Sequence, residues 1–497
     1  MKKRSILSLF LALLMFCSIS LFSCKTNENN EEGTTQKQTT TDNSVTETNE
    51  IESNLPKDLD LGGKTITVLY WDDAQFTEFY VEKATGSVVD DAVFERNSKV
   101  EQTLNVKLGW IGKPGNVSNT DSFVQYVQTT NGIGADHEYD IIAAYSRTTG
   151  KLATEGYLLD MLTTTYADFD MPWWPEFVID QAKINDKLYF TTGDISTNML
   201  YNMTVMFYNK ELVDTDLYTI VENGEWTLEK MIEITKGSYA DNNGNTLKDD
   251  ADTFGFVTYA PFVNPIFLGE GISFISKDDS GALTVDATYG SAKTQSILEE
   301  INTLFYADND WYYMGSGSTN GKATQTVFAE GRSMFIMESA SLPQKKLLEY
   351  ESLQYGVLPL PKYDVAQSNY LTLLNNPITL YGIPTMTSNY NSDEVSAVVE
   401  CLAYEGYRNT TPAVFENLFK IRFVSSNNDS IMFDIIRENS VLELGQVFNA
   451  SLDSIPGNAL YTLVQDNKTG WVVYFDSIKT VLSNNLKKIN AAFGDIQ

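Results

Sequence analysis

Between Lys64 and Tyr145 the hydrophobic period switches repeatedly, and that alternation limits the fold more than any other stretch. "TITVLYW" is β-branched and apolar behind a Gly-Gly turn, the pattern of a buried strand, and it delivers Trp71, Asp72 and Asp73 at its tip. In "VVDDAVFERNSKVEQTL", Val89, Val93 and Val100 recur at helical spacing with Leu104 one turn on. Asp90 and Asp91 stand near its start, where the helix dipole favours negative charge. "NVKLGWI" reads as a second strand, "SFVQYVQTTNGIG" as a helix ended by glycine, and "YDIIAAYS" as a third strand. Strand, helix, strand, helix, strand predicts an α/β fold with a parallel sheet and crossover helices.

The N-terminus has a different character. Lys2, Lys3 and Arg4 precede the apolar run "SILSLFLALLMFCSISLF", the three-part pattern of a secretory signal. Serines interrupt the run, which suits a permanent transmembrane helix less well. Leu21-Phe22-Ser23-Cys24 resembles the lipobox of bacterial lipoproteins, in which the Cys thiol takes a diacylglyceryl group and becomes the new N-terminus. An ordinary cleaved signal with an incidental cysteine is the alternative. Two or three acyl chains anchor stably where one binds marginally. The expected location is therefore the cell membrane, lipid-anchored on the extracellular face. From Lys25 to about Asn54 the chain is Asn, Glu, Thr, Gln and Ser, too polar to offset its ordering entropy. As a flexible coil, about thirty residues reach on the order of 30 Å.

The remainder exceeds what one hydrophobic core usually serves, so two lobes are expected. A formal charge of −31 speaks against nucleic acid as a partner and against long-range attraction of anions. With Cys17 in the leader and Cys24 acylated, Cys401 has no partner for a disulfide within the chain. His137 is the sole histidine, so zinc sites and His-based triads have little to draw on; in "GADHEYD" it reads as a solvated loop residue. Aromatic residues make up 12% of the chain, and many Tyr and Trp stand beside Asp, Asn or Arg, as in "YWDD" and "LYNMTVMFYN". Flat rings next to hydrogen-bonding groups suit a sugar, although cores and interfaces also use them.

Further landmarks follow in order. These are "YDIIAAYS…LATEGYLLDM", "KINDKLYFTTGDISTNMLYNMTVMFYNKELV", "GEWTLEKMIEITK", "VFAEGRSMFIMES", "YGVLPLPKYD" and "GIPTMTSNYNSDEVSAVVECLAYEG". Over about residues 60 to 490 this string resembles the extracellular solute-binding proteins of ABC importers, the sugar-binding group, with Arg332 where Lys is usual. "ATGSVVDDAVFERNSKVEQTLNVKL" further resembles a subgroup common among clostridial lipoproteins. The resemblance implies two α/β lobes joined by hinge strands around a cleft, as in periplasmic binding proteins. It implies a signal peptide at 1–23 and a tether at 24–55, a first lobe of 56–195 plus 330–373, and a second of 196–329 plus 374–497. It also implies an oligosaccharide ligand, ABC permease subunits as partners, a monomer and no required cofactor.

In an open α/β sheet, ligands meet the loops beyond the carboxyl ends of the strands. That rule nominates Trp71, Asp72 and Asp73; Tyr145, Ser146 and Arg147; and, on the crossover, Asp194, Asn198, Tyr201 and Asn202. The resemblance adds Tyr259, Asn264, Trp311 and Glu338 from the second lobe. A Trp or Tyr face would stack on a sugar while Asp, Asn and Arg fix its hydroxyls. Trp173 and Trp174, bracketed by prolines, read as cleft rim or simple packing. In "DNNGNTLKDDAD", Asp241, Asn243, Asn245, Leu247 (through its carbonyl), Asp249 and Asp252 fall at the oxygen-donor spacing of an EF-hand-like calcium loop. The other reading is an Asx- and Gly-rich turn. A secreted glycoside hydrolase is a rival function, but Asp72 and Asp73 are adjacent in an extended stretch and point apart, so they would not flank one bond. A surface glycan-binding lipoprotein without transport is the other rival.

Overall fold

The computed structural model describes residues 51–131, 135–385, 391–424 and 426–495; the leader, Cys24 and the tether up to Glu50 lie outside the described residues. In chain order the strands are β1 (Lys64–Trp71), β2 (Val106–Lys113), β3 (Ile141–Tyr145), β4 (Thr204–Asn209), β5 (Phe254–Thr258), β6 (Ile275–Lys277), β7 (Leu283–Val285), β8 (Trp311–Tyr313), β9 (Ser333–Ser339), β10 (Tyr355–Leu358), β11 (Thr372–Leu373), β12 (Thr379–Gly382) and β13 (Ser440–Val441).

One sheet runs β12-β3-β1-β2, with β1 parallel to both β2 and β3 and β12 antiparallel to β3. All five residues of β3 are buried, as expected of a strand covered on both faces. The helix α1 (Val88–Leu104) buries Val89, Val93, Val100 and Leu104, the stripe its spacing predicts. Asp91 accepts from the Thr85 and Gly86 amides at its start, and Asn105 ends it in the left-handed region at φ 46°. Two further helices, α2 (Thr120–Thr130) and α3 (Ser146–Thr154), flank the same sheet.

The second sheet runs β10-β4-β9-β5-β8 and mixes both orientations. This corrects the expected grouping of 330–373 with the first lobe and 374–497 with the second. β9 hydrogen-bonds between β4 and β5, and β10 beside β4, so both belong to the second sheet. β12 closes the first sheet instead. The motif "VFAEGRSMFIMES" supplies an apolar strand whose two partners, β4 and β5, both lie more than seventy residues earlier in the chain, so local pattern cannot say which sheet receives it.

A buried polar network fastens the first sheet to the segment leading toward β4. Arg96 donates to the carbonyls of Glu78, Phe79 and Ile195, and the Glu78 carboxylate accepts from Tyr381 at 2.8 Å and Thr379 at 3.1 Å. Cys401 is buried, and burial pushes its thiol well above the ordinary value. Among the described residues no helix is long and apolar enough to cross a membrane.

Candidate functional site

A cavity of about 420 Å³ opens where the carboxyl ends of β3 and β5 face each other. From the first sheet it receives Tyr145, the last residue of β3, and Arg147, in the first turn of α3. The loop carrying Asn116 and Val117 reaches it because Asp73 accepts from the Gly115 and Asn116 amides at 3.0 and 3.1 Å. From the second sheet come Ala260, Pro261 and Asn264, just past β5. The return segment contributes Asn375, Asn376 and Pro377, and the C-terminal helices Gln446, Gly457 and Tyr461.

Each wall is held by identifiable bonds. Asn375 donates its amide to the Asn202 carbonyl at 3.0 Å, and Asn202 returns a bond from Nδ2 to the Pro377 carbonyl at 2.9 Å. Ser146 Oγ donates to Asn376 Oδ1, and Asn375 Nδ2 donates to the Pro261 carbonyl at 3.2 Å. Asn264 hangs from the Pro456 and Gly457 carbonyls by Nδ2, at 3.4 and 3.1 Å. Gly150 of α3 is needed for packing: a Cβ there would stand 2.4 Å from the Val447 carbonyl, so only glycine lets α3 approach the helix Leu444–Val447 that carries Gln446.

The chemistry of the lining is selective. Buried polar atoms without a protein partner are rare and call for an explanation. Four lie on residues of this lining: Arg147 Nε, Asn376 Nδ2, Asn264 Oδ1 and Gln446 Oε1. The rest is amide, tyrosine and proline with Val117, Ala260 and Gly457; no Asp or Glu belongs to it among the described residues.

Of the residues nominated from sequence, Tyr145, Arg147 and Asn264 line this cavity. Asp73, Ser146 and Asn202 stand behind it as supports, and Asn198 bonds Asn202. Trp71 does not reach it. Its indole is buried, donates to Thr379 Oγ1 at 3.0 Å and packs against the Tyr145 ring at 5.9 Å, bracing that ring from below. Asp72 is exposed. Asp194 is buried elsewhere in an ion pair with Arg437 at 3.0 Å and a bond from Thr411 at 2.7 Å. Tyr201 stacks on Phe76 at 4.0 Å beside a separate cavity of about 200 Å³.

Tyr259 is half-buried and packs on Phe262; burial, then Glu338, raises its hydroxyl well above the ordinary value. Glu338 accepts from Gln325 at 2.7 Å. Trp311 is core, its indole donating to Thr235. Trp173 and Trp174 are packing residues that both donate to the buried Glu400. His137 bonds Asn131 in its loop. Sequence reasoning missed Asn375, Asn376, Gln446 and Tyr461. The "NNP" at 375–377 was a usable turn signal, whereas nothing local marks Gln446 or Tyr461.

The loop at 241–252 spends its oxygens internally. Asp241 accepts from the Gly244 and Thr246 amides, and Asn243 and Asn245 accept from the Asn245 and Leu247 amides. Asp249 accepts from the Ala251 amide and both Asn side chains, and Asp252 from Tyr239 and the Asn242 and Asp249 amides. These are Asx-turn bonds. Among the described residues no three His, Cys, Asp or Glu side chains gather closely enough to hold a metal ion.

No protein-family model matches the chain, and no curated protein matches it by sequence. Solved structures do match in fold. A cyclo/maltodextrin-binding protein complexed with maltotetraose aligns at TM-score 0.53 and 11% identity, over 87% of this chain and 98% of that one. The maltose/maltodextrin-binding domain MalE from Bdellovibrio bacteriovorus, bound to maltotriose, aligns at 0.51 and 12%, over 85% and 100%. The maltose-binding periplasmic protein MalE from Listeria monocytogenes, in complex with maltose, aligns at 0.54 and 15%, over 86% and 98%. The fold is the two-lobed α/β architecture of periplasmic binding proteins.

Proposed function

We propose that this chain is the solute-capturing component of an ABC importer, anchored through Cys24 on the outer face of the cell membrane, and that it binds a saccharide between its lobes for delivery to the permease. The observation that carries the reading is the cavity at the strand ends, whose lining residues Arg147, Asn264, Asn376 and Gln446 each carry a buried polar atom without a partner among the described residues. Such atoms cost free energy unless a ligand or water satisfies them. The tyrosine and proline surfaces beside them suit the C–H faces of a sugar ring.

The neighbours in fold, whose descriptions name maltose, maltotriose and maltotetraose, support the same class of ligand. The reading is one of capture without chemistry: among the described residues the lining offers no carboxylic acid to protonate a leaving oxygen and no second carboxylate to attack. Closure of the two lobes on the solute would give the permease a shape to read.

The test is calorimetry of the purified chain against mono- and oligosaccharides, with Arg147→Ala and Asn264→Ala alongside. Binding in the micromolar range or tighter, without cleavage, and at least ten-fold weaker in each variant, is expected. Bond cleavage would replace the reading with a hydrolase. Affinity confined to insoluble polymers would replace it with a surface glycan binder. The anchor is tested separately: Cys24→Ala should move the protein from the membrane fraction to the medium.

A further inference from the structure

We infer that the solute carries a carboxylate, as in a uronic-acid-containing oligosaccharide, and that Arg147 is its counter-ion; this rests on the saccharide reading above and narrows it. Arg147 stands in the cavity without an ion pair or hydrogen bond to any carboxylate among the described residues, and its Nε is buried with no partner. That is unusual in a chain whose acidic residues outnumber its basic ones, 66 to 35. Elsewhere Arg437 pairs with Asp194 and Lys210 with Asp429, while the buried Arg96 and Lys362 donate to backbone carbonyls; Arg147 does neither among the described residues.

A neutral sugar closing over Arg147 would bury a guanidinium with no opposite charge, which is costly; a carboxylate would neutralise it and accept its fork of donors in bidentate fashion.

The surroundings point the same way. Arg147 lies in the first turn of the nine-residue α3, whose N-cap, Tyr145, gives no side-chain cap and whose first turn holds no acid, so the helix end adds positive potential. Asn376 Nδ2, beside Ser146, is a second unpartnered donor on that wall. Independently, Asn264 and Gln446 are only 8% and 7% exposed, and each has an unpartnered acceptor oxygen. For Asn264 the assignment is fixed by chemistry, because its Nδ2 faces two carbonyls. The cavity therefore offers donors and positive charge at α3, and acceptors for hydroxyls at Asn264 and Gln446. A sugar acid has that distribution, with an anionic group at one end and donating hydroxyls elsewhere.

The experiment uses the full chain in detergent and a calorimetric panel with three arms: neutral oligosaccharides such as maltotriose, xylotriose and galactotriose; uronate-bearing oligosaccharides such as trigalacturonate and glucuronosyl-xylotriose; and the methyl esters of the latter. The expected result is binding in the uronate arm, at least ten-fold weaker for the matching ester, with Arg147→Gln bringing acid and ester to equal affinity. Because the acid–ester comparison is made in the unaltered protein, it does not depend on that variant folding. If neutral sugars bind and the acids bind no better than their esters, the carboxylate inference is overturned while the saccharide reading stands. If no arm binds to protein shown to be folded by circular dichroism, both are overturned.

Discussion

At the scale of single residues, two buried carboxyl groups outside the cavity lining set a pH dependence. Glu400 accepts from the indoles of Trp173 and Trp174 and the amide of Asp168, yet burial outweighs those bonds and pushes it up from 4.5 to about 7. Glu443, accepting from the Ser273 hydroxyl and the Phe274, Ile275 and Gly445 amides, is likewise raised by burial to about 7. A carboxyl raised in the folded state contributes stability that is full below about 4.5 and is lost as pH rises through about 7. Thermal unfolding should therefore show a midpoint that falls between pH 5 and pH 8, by a free energy on the order of ~1–3 kcal/mol per group. In Glu400→Gln that slope should shrink. The variant should also be less stable at pH 5, because one amide oxygen cannot accept from both indoles. A midpoint flat over this range would show that the bonds to the carboxylates outweigh their burial.

At the scale of elements, the approach of α3 to the helix Leu444–Val447 decides where Arg147 and Gln446 stand. Gly150→Val would drive a branched side chain into the Val447 carbonyl, already 2.4 Å from a Cβ. Overpacking of this kind costs about 1–3 kcal/mol. Equilibrium denaturation should show that loss, and ligand affinity should drop with it because both cavity walls move. Trp71 acts at the same scale. Trp71→Leu removes the ring beneath Tyr145 and the bond to Thr379, so about 2–4 kcal/mol of stability should be lost. Its affinity loss should be smaller than that of Arg147→Ala; an equal or larger loss would place Trp71 in contact with the solute.

For the whole molecule, overall charge and site charge oppose each other. A net charge of −31 repels an anionic solute at long range, while Arg147 attracts it at contact. Salt shortens the screening length from about 30 Å at 0.01 M to about 8 Å at 0.15 M. Association of a uronate ligand should therefore speed up several-fold over that range, the reverse of ordinary steering, and stopped-flow fluorescence would measure it. A rate that slows with salt would mean that the local positive field dominates. Lobe closure makes a separate expectation: small-angle scattering should give a smaller radius of gyration with saturating ligand than without.

The strands and helices between Lys64 and Tyr145 could be read from sequence because each carries its own period, and Val89, Val93, Val100 and Leu104 bury as a stripe for that reason. Tyr145 and Arg147 could be placed near a ligand because a parallel strand delivers its loop to a known edge. Sheet membership of β9 and β10 could not be read, since an apolar strand looks alike in either sheet and its partners are distant in sequence. Trp71 looked like a contact, yet alternation along β1 turned its ring inward onto Tyr145. Asn376, Gln446 and Tyr461 come from segments hundreds of residues beyond β3, and only packing brings them to Arg147. Local chemistry wrote the elements; which polar atoms meet, and which are left without a partner, was decided by long-range packing alone.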